Sequence, residues 1–243
     1  MGRIIERDRS VVVAADVPGR LDELEFLARN MLDIPGIGGF KLGITLGLQG
    51  LGGVTRIVKN ILGNNFPVIY DHQKAGNDIP DMGGPFAKTL KGAGVDAAIL
   101  FPFTGPATQE AWIKACIDED LEVIVGGVMT HKQFLVSEGG YIADEAVERI
   151  YSLAGQLGVR NFVVPGNKIN WVERIRALLV EEVGEGNFVL WAPGFITQQG
   201  DISECGQAAG KKWHAIVGSA IYKQLTAEGQ RQAALDVTRQ ILA

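Results

Sequence analysis

Eight short apolar runs recur along the chain, and each is followed by a stretch in which apolar residues return every three or four positions. The runs are almost continuously apolar, which is typical of parallel strands covered on both faces. The predicted strands are VVVAAD (11–16), GGFKLG (38–43), FPVIYD (66–71), DAAILF (96–101), EVIVGG (122–127), NFVVPG (161–166), NFVLWA (187–192) and HAIVGS (214–219).

The stretches between the strands predict amphipathic helices. Clear examples are RLDELEFLARNML (20–32), ADEAVERIYSLAGQLG (143–158) and WVERIRALLVEEVG (171–184), and Gly158, Gly184 and Gly210 stand where such helices should end. Eight strand and helix units in 243 residues fit the fold that usually takes about 250 residues. We therefore predict an α/β fold, a single (β/α)8 TIM barrel domain over residues 1–243; a doubly wound open sheet is the structural alternative.

Composition and charge limit the partners. The 23 basic residues against 28 acidic ones give a net charge of −5, which offers no basic field for nucleic acid or anionic lipid. The charged opening MGRIIERDRS and the early Asp16 argue against a membrane span, so we expect a cytoplasmic protein with a small-molecule partner. Cys116 and Cys205 have no metal-binding spacing and are expected to be buried, reduced thiols.

A barrel predicts where its chemistry lies, because active sites of this fold form on the loops after the strands. Several polar residues and glycines end or follow the predicted strands: Asp16, Lys41, Asp71 with Lys74, Thr130 and His131, residues 197–201, and Gly218 with Ser219. We expect them to converge on one pocket.

The segment YDHQKAGNDIPD (70–81) sets Asp71, Lys74 and Asp78 within eight residues after a strand. It could be a solvated loop in which Asp78 caps the next helix. The apolar surroundings of Lys41 favour another interpretation, because a buried ammonium needs a carboxylate partner. Lys41, Asp71, Lys74 and Asp78 would then form an alternating network of charges. At an effective dielectric near 20, a fixed ammonium about 4 Å from a developing carbanion contributes on the order of 4 kcal/mol.

Read together, these segments resemble one enzyme family in the correct order along essentially the whole chain. They are AADV around Asp16, FKLG around Lys41, residues 71–80, MTH (129–131), APGFITQQGD (192–201) and IVGSAIY (216–222). The pattern is similar to that of orotidine 5'-monophosphate decarboxylases. The resemblance implies a homodimeric barrel enzyme of pyrimidine synthesis, without metal or cofactor, that converts orotidine 5'-monophosphate (OMP) to uridine monophosphate (UMP).

The resemblance also implies a role for each matching position. Lys74 would stabilise and protonate the C6 carbanion, Asp71 would lie against the departing carboxylate, and Lys41 would contact the ribose and orient the acids. Asp78, with Ile79 beside it, would reach the active site of the other subunit. The remaining substrate contacts would be Asp16 on the ribose, Thr130 on the pyrimidine edge, Gln198 between base and phosphate, and Gly218 with Ser219 on the phosphate.

The sequence departs from the family pattern in three features: the spacing of the charged residues, and the residue types at positions 219 and 82. The spacings from Asp71 to Lys74 and from Lys74 to Asp78 are three and four residues, whereas the family has two and three. A bulge or loop must therefore restore the direction of Lys74. Ser219 stands where the family usually has arginine, which predicts weaker phosphate binding, and Met82 replaces a threonine.

The remaining histidines, the glycine cluster and the loop after the seventh strand give weaker indications of function. His72 and His131 could join Asp71 or Asp16 in a metal site, but they do not match the order of metal-dependent epimerases, so we predict no metal. The loop FITQQGD is a candidate lid, GLQGLGG (47–53) is expected to be a packing or loop feature, and His214 a structural residue. Two alternative functions remain: a magnesium-dependent sugar-phosphate decarboxylase or aldolase of the same superfamily, and a non-catalytic nucleotide-binding barrel.

Overall fold

The eight predicted strands form a closed parallel barrel in the order of the sequence, β1 to β8. The computed structural model describes residues 3–18, 20–72, 75–195 and 200–242. The strands are β1 (Arg9–Ala15), β2 (Ile37–Gly43), β3 (Val68–Asp71), β4 (Ala97–Leu100), β5 (Glu122–Gly126), β6 (Asn161–Val163), β7 (Val189–Pro193) and β8 (Trp213–Val217). The pairing of β1 with β8 closes the barrel, which confirms the predicted fold and excludes the open sheet.

Helices follow the strands around the outside of the barrel. Those in the described residues are α1 (Leu21–Asn30), α2 (Ile44–Gly47), α3 (Leu51–Leu62), α4 (Gly83–Gly92), α5 (Pro106–Asp118), α6 (Asp144–Gln156), α7 (Ile169–Val183), α8 (Ile202–Ala209), α9 (Ser219–Tyr222) and α10 (Ala227–Leu242). Short 3-10 turns cover Pro80–Met82 and Val136–Glu138. Gly184 and Gly210 are the C-caps of α7 and α8, as predicted, and Gly158 follows the Leu157 cap of α6 with a φ of +91°.

Apolar side chains form two packed regions. One fills the barrel interior and includes Val12, Ile69, Ile124 and Trp191. The other lies between the strands and the helices, where the apolar face of each amphipathic helix is buried. This separation follows from strand geometry, because successive side chains point alternately into the barrel and toward the helices.

His214 has a polar partner inside the barrel. His214 is buried near the N-terminal ends of the strands, where its Nδ1 lies 2.8 Å from Ser10 Oγ and its ring packs 4.6 Å from Trp191. This confirms the structural role predicted for His214.

Both cysteines are buried free thiols, and burial raises the pKa of each to about 12. Among the described helices, none has the length and apolar character that a membrane span requires.

Candidate active site

A cavity of about 400 Å³ opens at the C-terminal ends of the strands. The predicted site residues that line it are Asp16, Lys41, Asp71, Thr130, Gly218 and Ser219, and His131 lies beside them. The predicted convergence of strand-end residues on one pocket is therefore confirmed for these positions. The particular role of each residue stays a prediction.

Among the described charged residues that line the cavity, Lys41 is the most buried. Its ammonium lies 3.0 Å from Asp16 Oδ1 and 3.2 Å from Asp71 Oδ2. The side chain of Lys41 is 7% exposed and that of Asp71 is 12% exposed, whereas Asp16 is 46% exposed. Burial alone would lower the pKa of Lys41, but the charges of Asp71 and Asp16 and their hydrogen bonds raise it above its usual value. The ammonium is thus held charged, and the prediction that Lys41 has carboxylate partners is confirmed.

Lys41 starts deeper in the barrel than the sequence suggested. Both Lys41 and Asp71 were predicted near strand ends, but they lie at different levels of the barrel, because Lys41 pairs with Ile69 and Asp71 pairs with Gly43. The long lysine side chain spans this difference, so the charges meet although their backbones do not. On the β1 side Lys41 pairs with Ala14, so Asp16 also lies two residues nearer the C-terminal end of the barrel than the pairing partner of Lys41.

Thr130 lies on the connection between β5 and α6, and two polar side chains from the turn that precedes α7 support this connection. Asn167 Nδ2 donates to the Thr130 carbonyl at 3.0 Å, and Lys168 Nζ donates to the His131 carbonyl at 3.3 Å. Lys168 also forms an ion pair with Glu138 at 2.5 Å. The Thr130 position is therefore fixed by a side-chain network that the strand pattern did not predict.

Gly218 and Ser219 stand where β8 gives way to α9. Gly218 is the N-cap of this short helix, and a Cβ atom there would lie 3.1 Å from the Ala14 carbonyl and 3.2 Å from its side chain. The close approach to β1 therefore favours glycine. Tyr222, one turn later, lines the same cavity, and burial followed by the charge of Asp16 raises its pKa.

Asp78 and Ile79 do not line the cavity of their own chain. Asp78 is exposed and Ile79 is 60% exposed, although their backbone is firmly held. Thr108 Oγ1 donates to the Asp78 carbonyl at 2.9 Å and Trp112 Nε1 donates to the Ile79 carbonyl at 3.1 Å, both from α5. The alternative in which Asp78 caps the next helix is wrong in its capping part, because Ile79 occupies the cap position before the turn Pro80–Met82.

The chain between Asp71 and Asp78 is attached to the barrel on both sides of the pair Gln73 and Lys74, which lies outside the described residues. Before the pair, His72 Nδ1 lies 2.6 Å from the Tyr70 hydroxyl. After it, the Phe101 amide donates to the Ala75 carbonyl, and the Asn77 side chain accepts from the Phe103 amide, both at 2.9 Å. Both flanks of the altered spacing are thus fixed. Gln198, on the candidate lid, also lies outside the described residues.

Sequence reasoning missed the apolar wall of the cavity. Ile99, Phe101, Met129, Phe195 and Tyr222 line it together with the charged residues. Each falls within or beside an apolar run, so nothing in its local pattern distinguishes a cavity wall from ordinary core. Within the described part of the chain, no group of three or more His, Cys, Asp or Glu side chains is arranged to hold a metal ion.

No protein-family model matches the chain. Two curated relatives align with it over nearly their whole length. The orotidine 5'-phosphate decarboxylase of Methanosarcina mazei is 28% identical over 241 residues, covering 98% of both chains. That of Methanosarcina barkeri is 30% identical over 243 residues, covering 98% of this chain and 97% of its own.

A solved structure supports the same fold. The orotidine 5'-monophosphate decarboxylase of Methanocaldococcus jannaschii, complexed with inhibitor BMP, superposes with a TM-score of 0.80. The alignment covers 97% of this chain and 99% of that one, at 22% sequence identity. At this identity, the likeness shows the barrel architecture.

Proposed function

The chain belongs to the orotidine 5'-phosphate decarboxylase family, and we propose that it converts OMP to UMP and CO2 in pyrimidine synthesis. The observation that carries the proposal is the buried Lys41 ammonium between Asp16 and Asp71, at the mouth of the barrel and beside Thr130, Gly218 and Ser219. The site is charged at one end and apolar along its walls, which suits a nucleotide with a polar ribose and a flat base.

The reaction breaks the bond between C6 of the pyrimidine and its carboxylate. The electron pair stays on C6, CO2 leaves, and a proton must reach C6. In our proposal Lys74 stabilises the developing carbanion and donates that proton, while Asp71 lies against the departing carboxylate. Lys41 contacts the ribose hydroxyls and keeps Asp71 oriented, and the 3.2 Å ion pair supports this orienting role.

Binding of the substrate is assigned to residues around the charged group. Asp16 contacts the ribose; its partly exposed carboxylate and its ion pair with Lys41 support that role. Thr130 contacts the edge of the pyrimidine, and Gln198 spans base and phosphate. Gly218 and Ser219 hold the phosphate through backbone amides, with lower affinity than an arginine would give at position 219. A cytoplasmic location also remains a prediction.

We further propose that the enzyme is a homodimer in which Asp78 completes the partner's active site. Asp78 and Ile79 have exposed side chains on a backbone that α5 holds in place. Met82, 42% exposed, lies on the same surface segment. A rigid, exposed segment with apolar side chains beside a carboxylate suits an intersubunit contact better than a solvated loop.

The activity is tested by the loss of ultraviolet absorbance of OMP with purified protein in excess chelator. We expect turnover by the wild type, loss of turnover in Lys74→Ala, and wild-type turnover in Lys88→Ala, a matched change at an exposed lysine of α4. Turnover that Lys74→Ala retains would disprove the assigned proton donor. No turnover by the wild type would disprove the proposed function.

The shared site is tested by complementation between subunits. Two differently tagged chains, one Lys74→Ala and one Asp78→Ala, are co-expressed and the mixed dimer is isolated. If Asp78 serves the partner's site, one of the two sites in the mixed dimer contains both wild-type residues, so about half of the wild-type turnover should return. Continued inactivity of an isolated mixed dimer would assign Asp78 to its own chain, and an isolated monomer with full activity would exclude the dimer proposal.

The two alternative functions gain no support from these findings. The relatives from both Methanosarcina species are named for this decarboxylase. The assay nevertheless separates the possibilities. A magnesium-dependent sugar-phosphate enzyme would not convert OMP and would require magnesium for activity on its own substrate. An inactive barrel would bind UMP but would not convert OMP.

A further inference from the structure

Asp71 is flanked by two aromatic side chains that are bonded to each other. The Tyr70 hydroxyl and His72 Nδ1 lie 2.6 Å apart, and the two rings pack with centroids 5.5 Å apart. Because side chains alternate along β3, Tyr70 lies on the helix side while Asp71 points into the barrel, and the contacts of His72 with Tyr70 and Phe86 place it on the helix side as well. Tyr70 accordingly packs in the core region between strands and helices, whereas Asp71 lines the cavity.

The pair also connects the end of β3 to the helices. The His72 ring meets Phe86 of α4 edge to face at 6.4 Å, and Phe86 packs 4.8 Å from Trp112 of α5. On the other side, the Tyr70 hydroxyl approaches α2 so closely that a Cβ atom at Gly47 would lie 2.5 Å from it. The phenol therefore has little freedom to move.

Asp71 is the last residue of β3 that pairs with both neighbouring strands, so the ladder does not fix His72. The contact with the Tyr70 hydroxyl at 2.6 Å restrains the residue that follows Asp71. An apolar pair of the same size could fill this space without the cost of desolvating two polar groups. The polar pair is thus better explained by the direction it gives the backbone than by its contribution to packing.

We propose that Tyr70 and His72 are positioning residues that hold the Asp71 carboxylate in line with Lys41 and the departing carboxylate of the substrate. This inference rests on the proposed function. The pair touches neither substrate nor reacting atoms, and it acts through the backbone of Asp71. Loss of the bond should therefore lower the rate of the chemical step more than it weakens substrate binding.

The test compares steady-state constants for OMP in Tyr70→Phe and His72→Leu with those of the wild type. We expect kcat to fall roughly tenfold to a hundredfold, as for a small misplacement of a reacting group, and KM to change by less than about threefold. Tyr141→Phe is the matched control, because it removes a hydroxyl from a fully exposed tyrosine. His72→Asn, which returns a polar atom near the Nδ1 position, should recover most of the lost kcat.

Gly47→Ala tests the role of the Tyr70 hydroxyl without changing Tyr70 itself. This variant replaces Tyr70→Phe in the test if Tyr70→Phe does not fold. The new methyl group must displace the Tyr70 phenol, so the same fall in kcat is expected.

Three outcomes would overturn the positioning role while the wild type turns over OMP. They are wild-type kcat in both Tyr70→Phe and His72→Leu, a change confined to KM, and a loss of kcat that His72→Asn does not recover. Absence of OMP turnover by the wild type would instead overturn the proposed function and the positioning role with it.

Discussion

The ammonium of Lys41 reaches Asp71 at 3.2 Å from a lower level of the barrel, because Lys41 pairs across the sheet with Ile69 and not with Asp71. Its carbon chain thus runs through the apolar interior, and only its charged end enters the cavity. The buried ammonium therefore does not reorient with the surrounding water, and its position is fixed before the substrate binds.

Replacing Lys41 by methionine should keep the carbon chain and remove the charge. We expect kcat/KM for OMP to fall on the order of a hundredfold or more, because Asp71 loses its ion pair with Lys41 and, in the proposed mechanism, the ribose loses a contact. The matched control is Lys59→Met, which breaks a partly buried 2.9 Å ion pair with Asp96 away from the cavity. Lys59→Met should lower thermal stability and leave kcat/KM unchanged. Equal losses of activity in both variants would contradict the assigned role of Lys41.

A methyl group at Gly43 should disturb the ribose end of the site. A Cβ atom there would lie 2.6 Å from Asp16 Oδ1, so Gly43→Ala must displace that carboxylate. We expect KM for OMP to rise roughly tenfold, as for loss of one charged hydrogen bond. Gly53→Ala is the control, since a Cβ atom at that helical position meets nothing within 4 Å. An unchanged KM in Gly43→Ala would remove Asp16 from the substrate contacts.

The ion pair of Lys168 with Glu138 should make the Thr130 connection sensitive to acid. Burial alone would raise the pKa of Glu138, but hydrogen bonds from Lys168 and from the Phe134 and Leu135 amides lower it below 4.5. A lowered folded-state pKa stabilises the protein above about pH 4.5, and this contribution is lost as pH falls through the folded-state value. Urea unfolding should show Glu138→Gln less stable than the wild type at pH 7, with a smaller difference at pH 4. A difference independent of pH would contradict this assignment.

His214 should contribute a second, separate acid sensitivity. Burial, and then the nearby charge of Arg3, lower its pKa from 6.5 to about 3. Neutral His214 therefore stabilises the fold fully above about pH 6.5, and this contribution decreases as pH falls toward 3. The free energy of unfolding should fall more steeply over this range in the wild type than in His214→Gln. Parallel curves for the two proteins would show that His214 does not titrate in this way.

The strands were predictable because a strand buried on both faces carries a continuous apolar signal. All eight predicted runs contain the observed strands or overlap them within a few residues. Their ends differ where backbone chemistry intervenes. For example, β3 begins at Val68, after Pro67, which has no amide hydrogen for the ladder. The meeting of Asp16, Lys41 and Asp71 was predictable for a related reason, since the strands of a closed parallel barrel end on one face.

Features set by the path of a loop could not be predicted from the residue pattern, and only the family resemblance placed Asp78 outside the cavity of its own chain. The segment after β3 carries Asp78 away from its own cavity, and hydrogen bonds from Thr108 and Trp112 fix that path. These donors lie about 30 residues further along the chain and have no local signal. Tyr222 was missed for a similar reason, because its direction depends on how a four-residue helix leaves β8.

The contacts that fix the chain before and after Gln73 and Lys74 make the backbone positions of Asp71 and Asp78 independent of the length of the loop between them. Asp71 is held by the β3 ladder, and Asp78 is held by α5, so neither depends on the number of residues between them. We therefore expect an insertion or deletion at Gln73 and Lys74 to leave the backbones of Asp71 and Asp78 in place. The length of the charged segment is in this way independent of the geometry of the barrel that carries it.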